Sequence, residues 1–241
     1  AKRIGLTAVA QLFASLKGLI LLPILTKALG PSDYGIRAEI LVTVSILQPF
    51  AQLGMGWSIA RFLPAKGNKE IVGGLMTALC ATFVAGSITS LAVFFASDAL
   101  ATAFLGGQTV AAAMMRMASP LIVLEALTAM ALGSFRILGQ MKRYALVVLI
   151  QTGLEIVLTI VLVLLGYGLV GVVAALLVSQ VLGLMLILGL VISYAGFAPP
   201  DLSVLRPFIA YGFPLIPTVL FEIIIQSSDR YVVGLFMNPA S

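Results

Sequence analysis

Long runs of apolar residues, separated by short polar connections, account for almost the whole chain. Seven runs fall at about residues 4–29, 36–63, 71–96, 109–138, 145–166, 169–195 and 206–236. Each run is long enough to cross a hydrocarbon core of about 30 Å as a helix. The pattern therefore predicts an all-α fold, a polytopic membrane helix bundle of about seven transmembrane helices.

The composition agrees with this pattern. Hydrophobic residues make up 61% of the chain and charged residues 10%, and the mean hydropathy of +1.16 exceeds what a soluble surface carries. The chain has no histidine and one cysteine, Cys80, which we expect to pack between helices as a small hydrophobic residue. Metal sites and cysteine–histidine catalysis are not expected, and neither is a cofactor beyond a coupling proton or sodium ion.

Basic residues gather at alternate ends of the predicted helices. With a cytoplasmic amino terminus, the inner ends hold Lys2, Arg3, Arg61, Lys66, Lys69, Arg136, Lys142, Arg143 and Arg206, and the outer ends hold Lys27 and Arg37. Cytoplasmic loops carry an excess of Lys and Arg, so this bias predicts a cytoplasmic amino terminus. Topology explains the net charge of +5 without a nucleic-acid partner.

Two features predict how the helices pack and bend. Small residues recur every four positions along helix 6, which forms one stripe that a neighbouring backbone can approach closely; they are Gly171, Ala175, Ser179 and Gly183. Pro120 falls inside predicted helix 4, where its missing backbone N–H favours a kink.

Seven charged residues lie within the predicted helices. Near the centre of a bilayer an ionised side chain costs about 2.5–3.5 kcal/mol, so such residues are paired, face a wet cavity, or function directly. The basic ones are Lys17, Arg116 and Arg230, and the acidic ones are Glu125, Glu155, Glu222 and Asp229. At about 100° per residue, Glu222, Gln226 and Asp229 share one face of helix 7, whereas Arg116 and Glu125 point to opposite sides of helix 4.

Two interpretations of these charges stay open. In the functional one, Lys17, Arg116 and Arg230 hold a phosphorylated cargo, because guanidinium and ammonium groups bind phosphate oxygens. Glu125, Glu155, Glu222 or Asp229 then binds a coupling ion. In the structural one, opposite charges pair to hold helices together, as in Lys17 with Glu155 or Glu222.

Three motifs resemble the polysaccharide-transporter branch of the multidrug/oligosaccharidyl-lipid/polysaccharide (MOP) flippase superfamily, which includes the bacterial O-antigen repeat-unit flippases. The motifs are LGPSDYG at 29–35, GMGWS at 54–58 with RFLP at 61–64, and YGFPLIP at 211–217 with Asp229 and Arg230. Members of this superfamily have about twelve to fourteen helices in two lobes around a central cavity. The resemblance therefore implies that this chain is a piece of a two-lobed protein.

The predicted domain boundary follows from the same comparison. Pro31 and Pro239 lie 208 residues apart, in similar sequence surroundings. A repeat of that length suits a six-helix lobe. We therefore expect a first lobe at residues 1–205 and the first helix of a second lobe at 206–241.

The resemblance implies a flippase, not an enzyme. Its expected cargo is an undecaprenyl-diphosphate-linked oligosaccharide, moved across the bacterial inner membrane by alternating access, with membrane lipid and polysaccharide assembly proteins as further partners. Lys17, Arg116 and Arg230 would then bind the diphosphate. Glu125, Glu155, Glu222 and Asp229 would bind the coupling proton or sodium ion.

Three alternatives remain. A MATE-like drug/cation antiporter of the same superfamily should have mainly acidic residues in its cavity. A membrane glycan enzyme usually needs a substantial aqueous loop, and no predicted loop here exceeds about a dozen residues. A non-transporting scaffold would leave the embedded charges with structural roles alone.

Overall fold

A computed structural model of the chain describes residues 2–64, 66–104 and 109–222. These residues form a bundle of α-helices with two short 3₁₀ segments, and they include no strand. The helices are α1 Lys2–Ala51, α2 Met55–Phe62, α3 Asn68–Phe104, α4 Thr109–Ala118, α5 Pro120–Ile137, α6 Met141–Leu164, α7 Gly168–Ala195 and α8 Leu205–Gly212. The 3₁₀ segments, Leu202–Val204 and Phe213–Leu215, flank α8.

The described helices confirm the predicted membrane bundle. Six are long and apolar enough to cross a bilayer. The second half of α1 and the short α2 meet at an angle of 46° and, taken together as one bent span, would bring the number to seven. The span predicted at 206–236 already begins at Leu202, and its described part extends to Glu222.

Two breaks in the helices have clear causes in the sequence. Gly30 adopts φ 74° and ψ 173° inside α1, a conformation that glycine reaches without steric cost. It divides α1 into two spans at the motif predicted to end helix 1. Pro120 stands at the start of α5, where its missing N–H is no loss, and it marks the interruption between α4 and α5 within the single span Thr109–Ile137, at the position where a kink was predicted.

The centre of the bundle is formed by α5, which packs against α1, α3 and α7, while α6 lies between α1 and α7. The four small residues of the predicted stripe are all buried on α7. A Cβ atom at Gly183 would stand 2.7 Å from the side chain of Gln151 on α6. The stripe therefore packs inside the bundle as predicted, and at Gly183 its neighbour is a side chain of α6.

The expectation for Cys80 was wrong, because this residue is exposed on α3. In a membrane protein the outward surface is as apolar as the interior, since it meets lipid. Phe95 on the same helix, with 78% of its surface exposed, shows the same property. An apolar sequence context therefore does not distinguish an interior position from a lipid-facing one.

The start of α3 and the segment before α8 meet at one end of the bundle. The Thr77 hydroxyl donates to the Asp201 carbonyl at 3.0 Å. The Asp201 carboxylate accepts hydrogen bonds from the hydroxyl and backbone N–H of Ser203, which lowers the pKa of that carboxyl below its usual value. The hydrogen bonds cap the start of the last described span.

Candidate functional site

A cavity of about 400 Å³ lies between the end of α1, α2, α5 and residues 216–222, which follow α8 within the last described span. Its volume falls within the range of about 300–1,000 Å³ that is usual for small-molecule sites. Much of the wall is apolar. Its polar members are Gln48, Gln52, Arg136 and Glu222, and Trp57 adds an aromatic ring.

One part of the cavity wall is an unusually close contact between two helices, which we name the α2–α8 joint (Gly54, Ser58, Phe208 and Gly212). A Cβ atom at either glycine would collide with the carbonyl group of the other. Gly54 also has φ 65°, which favours glycine further. The Ser58 hydroxyl donates to the Phe208 carbonyl at 2.6 Å, so the joint is fixed by backbone contact and one buried hydrogen bond.

Aromatic rings extend the joint. The ring of Phe62 stacks on Phe208 at 5.9 Å between centroids and meets Tyr211 edge-on at 5.4 Å. The Arg61 guanidinium lies 4.8 Å from the centroid of the Tyr211 ring, within cation–π range. Separating α2 from α8 would break all of these contacts.

A second feature is an ion pair inside the bundle. The Lys17 ammonium on α1 donates to both carboxylate oxygens of Glu155 on α6, at 2.8 and 2.9 Å. The Glu155 side chain keeps only 9% of its surface exposed, whereas Lys17 keeps 34%. Glu125 on α5 and Arg37 on the second half of α1 lie within electrostatic range of Glu155. We name these four residues the charged centre.

The charged centre and the cavity adjoin through α5. The amide nitrogen of Gln48, a cavity residue, donates to the backbone carbonyl of Glu125 at 3.5 Å. This is a long hydrogen bond, but it brings the end of α1 against α5 between the two features. A structural change in the charged centre can therefore reach the cavity through a short series of contacts, and the same holds in the other direction.

The other predicted site residues fall in different places. Arg116 forms an ion pair with Asp98 on α3, and its Nε donates to the Ser97 hydroxyl at 2.7 Å. It belongs neither to the charged centre nor to the described lining of the cavity, whereas Glu222 does line the cavity. Gln226, Asp229 and Arg230 lie outside the described residues.

Sequence reasoning did not assign Gln48, Gln52, Trp57 or Arg136 to a site. The spacing of Gln48 and Gln52, one helical turn apart in an apolar segment, is a signal that would have found two of them. Arg136 was assigned only to the inner end of a predicted helix. In the structure it donates to the Tyr144 hydroxyl at 2.6 Å and lies 4.7 Å from the centroid of that ring.

Comparison with known sequences gives a match along the full chain. The profile of a family described as polysaccharide biosynthesis protein matches residues 1–241. No curated protein matches at a significant level.

Solved structures show the same fold at low identity. A MOP superfamily transporter from Pyrococcus furiosus superposes with a TM-score of 0.76 at 20% identity. A MATE protein in complex with MaD3S gives 0.75 at 20%, and a multidrug resistance MATE family transporter in an outward-facing conformation gives 0.74 at 21%. The alignments cover 96%, 96% and 97% of this chain and 56% of each of the other chains. The chain thus spans little more than half the length of these transporters.

Proposed function

The chain belongs to the polysaccharide biosynthesis protein family, and on that premise we propose that it forms part of a flippase for lipid-linked oligosaccharides. The expected cargo is an undecaprenyl-diphosphate-linked repeat unit in the bacterial inner membrane. A sugar headgroup is too polar to cross hydrocarbon unaided. Two lobes that expose a shared cavity first to one side of the membrane and then to the other would carry the headgroup across without exposing it to hydrocarbon.

The observation that carries the proposal is the cavity of about 400 Å³, with four polar residues in a largely apolar wall, between the first six spans and the helix that follows them. In two-lobed transporters the substrate binds where the lobes meet. Residues 216–222 supply one wall of the cavity, and we assign them to the first helix of the second lobe. The shared MOP transporter fold supports this assignment.

We assign the cationic part of substrate binding to Lys17, with Arg116 and Arg230 as further contacts. A third of the Lys17 side chain is exposed while its ammonium holds Glu155, so an anionic phosphate can compete with that carboxylate for it. A carboxylate released in this way would readily take up a proton or a sodium ion. Glu155 and Glu125 are therefore our first candidates for ion coupling, and Glu222 and Asp229 are our second candidates.

The test is complementation with the whole protein in cells that lack their own repeat-unit flippase. We expect the wild type to restore surface polysaccharide and Lys17→Ala to abolish the restoration at equal membrane levels. Lys27→Ala is the matched control, because it removes an exposed lysine from the same helix. A well-expressed wild type that restores no polysaccharide from any of several donor strains would contradict the proposal.

A second candidate function is a MATE-like drug/cation antiporter. The observation in its favour is that two carboxylates, Glu125 and Glu155, lie within electrostatic range of each other inside the bundle, which favours cation binding. Efflux of cationic dyes from the same cells distinguishes the candidates. Efflux that depends on Glu155, without restored polysaccharide, would replace the first proposal with the second.

A further inference from the structure

We propose that the cavity binds a sugar of the headgroup, with Trp57 as a stacking platform and Gln48 and Gln52 as hydrogen-bonding partners, separately from the diphosphate. This inference rests on the proposed function. It divides the headgroup between two places, with the phosphates at basic residues outside the cavity and the sugar inside it.

Trp57 is presented to the cavity by a rigid support. It lies in the first turn of α2, and Ser58 and Ile59 beside it are buried. The α2–α8 joint holds this helix in place, while 53% of the Trp57 surface stays exposed. The face of an indole ring is apolar and electron-rich, and the C–H face of a pyranose sugar stacks well on such a surface.

The two glutamines supply the polar half of a sugar site. A primary amide both donates and accepts hydrogen bonds, as a sugar hydroxyl does. The hydrogen bond from Gln48 to the Glu125 carbonyl orients one amide. The side-chain oxygen of Gln52 lies 3.7 Å from where a Cβ atom on Gly56 would stand, so the missing side chain at Gly56 leaves room beside the amide.

The charge of the lining favours an uncharged ligand. Among the described lining residues the charged ones are a single base, Arg136, and a single acid, Glu222, so the lining is formally neutral. A diphosphate would bind better where basic residues are in excess. Hydroxyl and acetamido groups, by contrast, match amides and an aromatic face, which are the groups this cavity offers.

The test compares the binding of two lipids to the purified whole protein. One is undecaprenyl diphosphate, and the other is the same lipid with a single N-acetylhexosamine or a neutral disaccharide. We expect the wild type to bind a glycosylated lipid more tightly than the bare one. Trp57→Ala should weaken binding of the glycosylated lipid about three- to tenfold, as expected for the loss of one aromatic stacking contact, and leave the bare lipid unaffected.

Three further variants test whether the effect is specific to the aromatic ring and the amide that line the cavity. Trp57→Phe keeps an aromatic ring and should retain part of the preference for the glycosylated lipid. Gln52→Leu tests the amide without touching the ring, and it should also reduce binding of the glycosylated lipid alone. Phe95→Ala is the matched control, because it removes an exposed ring on α3 outside the cavity lining, and it should change neither affinity.

The outcomes separate this inference from the proposed function. A wild type that binds bare and glycosylated lipids equally would overturn the sugar site while leaving a diphosphate flippase intact. Equal weakening of both lipids by Trp57→Ala would also overturn it. A wild type that binds none of these lipids would overturn the proposed function, and the sugar site with it.

Discussion

The α2–α8 joint and the charged centre hold helices together by opposite means. At the joint, Gly54 and Gly212 let two backbones touch, and the hydrogen bond from Ser58 is between uncharged groups. At the charged centre, α1 and α6 are joined by an ion pair. A steric contact of this kind has a single geometry, whereas an ammonium group can exchange one anionic partner for another.

The α2–α8 joint is therefore a fixed contact, whereas the charged centre can respond to ionic conditions. Backbone contact and a neutral hydrogen bond do not change with ionic conditions. The ion pair depends strongly on Lys17, because the loss of that ammonium leaves the buried Glu155 carboxylate unpaired. The cavity lies between these two regions, with Gly54 of the joint in its wall and Gln48 in contact with Glu125. The cavity is therefore in contact with both regions.

The largest effect is expected when Lys17 is replaced by Met, which leaves Glu155 without its partner. Breaking a buried ion pair costs about 3–5 kcal/mol. We expect the low end of that range, because the exposed part of Lys17 is screened by solvent. Thermal or denaturant unfolding of the purified whole protein in detergent checks the prediction. An unchanged unfolding midpoint would show that the pair contributes nothing to stability.

The double variant Lys17→Met/Glu155→Gln separates structure from function. Removal of both charges should recover most of the stability lost in Lys17→Met, because no unpaired charge remains. Transport should stay lost, because no ammonium is left to bind phosphate. A double variant that transports normally would assign the pair a purely structural role.

The next largest effect is expected for Gly212→Val at the joint. The new side chain would collide with Gly54 and with the Ser58 hydroxyl, which lies 2.8 Å from the Cβ position. Overpacking of this kind typically costs about 1–3 kcal/mol. The unfolding midpoint should fall and transport should be impaired. Gly189→Val on α7 is the control, since a Cβ there meets nothing within 4 Å, and an equal loss in both variants would argue against a special contact at the joint.

The fold could largely be predicted from the sequence, because spans of apolar residues and their breaks follow from local rules. The break at Gly30 and the separation of α4 from α5 at Pro120 both fall where backbone chemistry predicts them. The buried stripe on α7 followed from spacing alone. Cys80 was misplaced because lipid and protein interior are equally apolar, so hydropathy does not reveal which face of a helix looks outward.

The candidate site was less predictable, for a physical reason. Charges within a membrane helix are costly and therefore conspicuous, and the pairing of Lys17 with Glu155 was one of the alternatives that the sequence left open. Gln48, Gln52 and Trp57 carry no charge, so they stand out from packing residues less than an embedded charge does, and the one-turn spacing of the two glutamines predicts a shared helix face but not a cavity. Their role depends on α1, α2 and α5 meeting around one cavity, which is a tertiary property.

A smaller effect is expected for Ser58→Ala, which removes the hydrogen bond of the joint but keeps its glycines. A buried hydrogen bond contributes about 0.5–1.5 kcal/mol, so the unfolding midpoint should fall less than in Gly212→Val. Ser193→Ala is the matched control, because that hydroxyl donates to the Gly189 carbonyl of its own helix on an exposed face. If Ser58→Ala were as damaging as Gly212→Val, the joint would depend on hydrogen bonding more than on backbone contact.

The smallest effect on stability is expected for Arg116→Gln. Arg116 and Asp98 keep 44% and 68% of their side-chain surfaces exposed, and exposed ion pairs contribute about 0–1 kcal/mol. The unfolding midpoint should therefore change little, and any change should shrink as salt is added.

A transport assay distinguishes a role of Arg116 in substrate binding from a purely structural role. If Arg116 contacts the diphosphate during transport, Arg116→Gln should reduce the restoration of surface polysaccharide, while Asp98→Asn, which breaks the same ion pair, should not. If both variants transport normally, Arg116 serves only to join α4 to α3. Of the basic residues within the predicted helices that the structure describes, only Lys17 at the charged centre would then remain a candidate for anion binding.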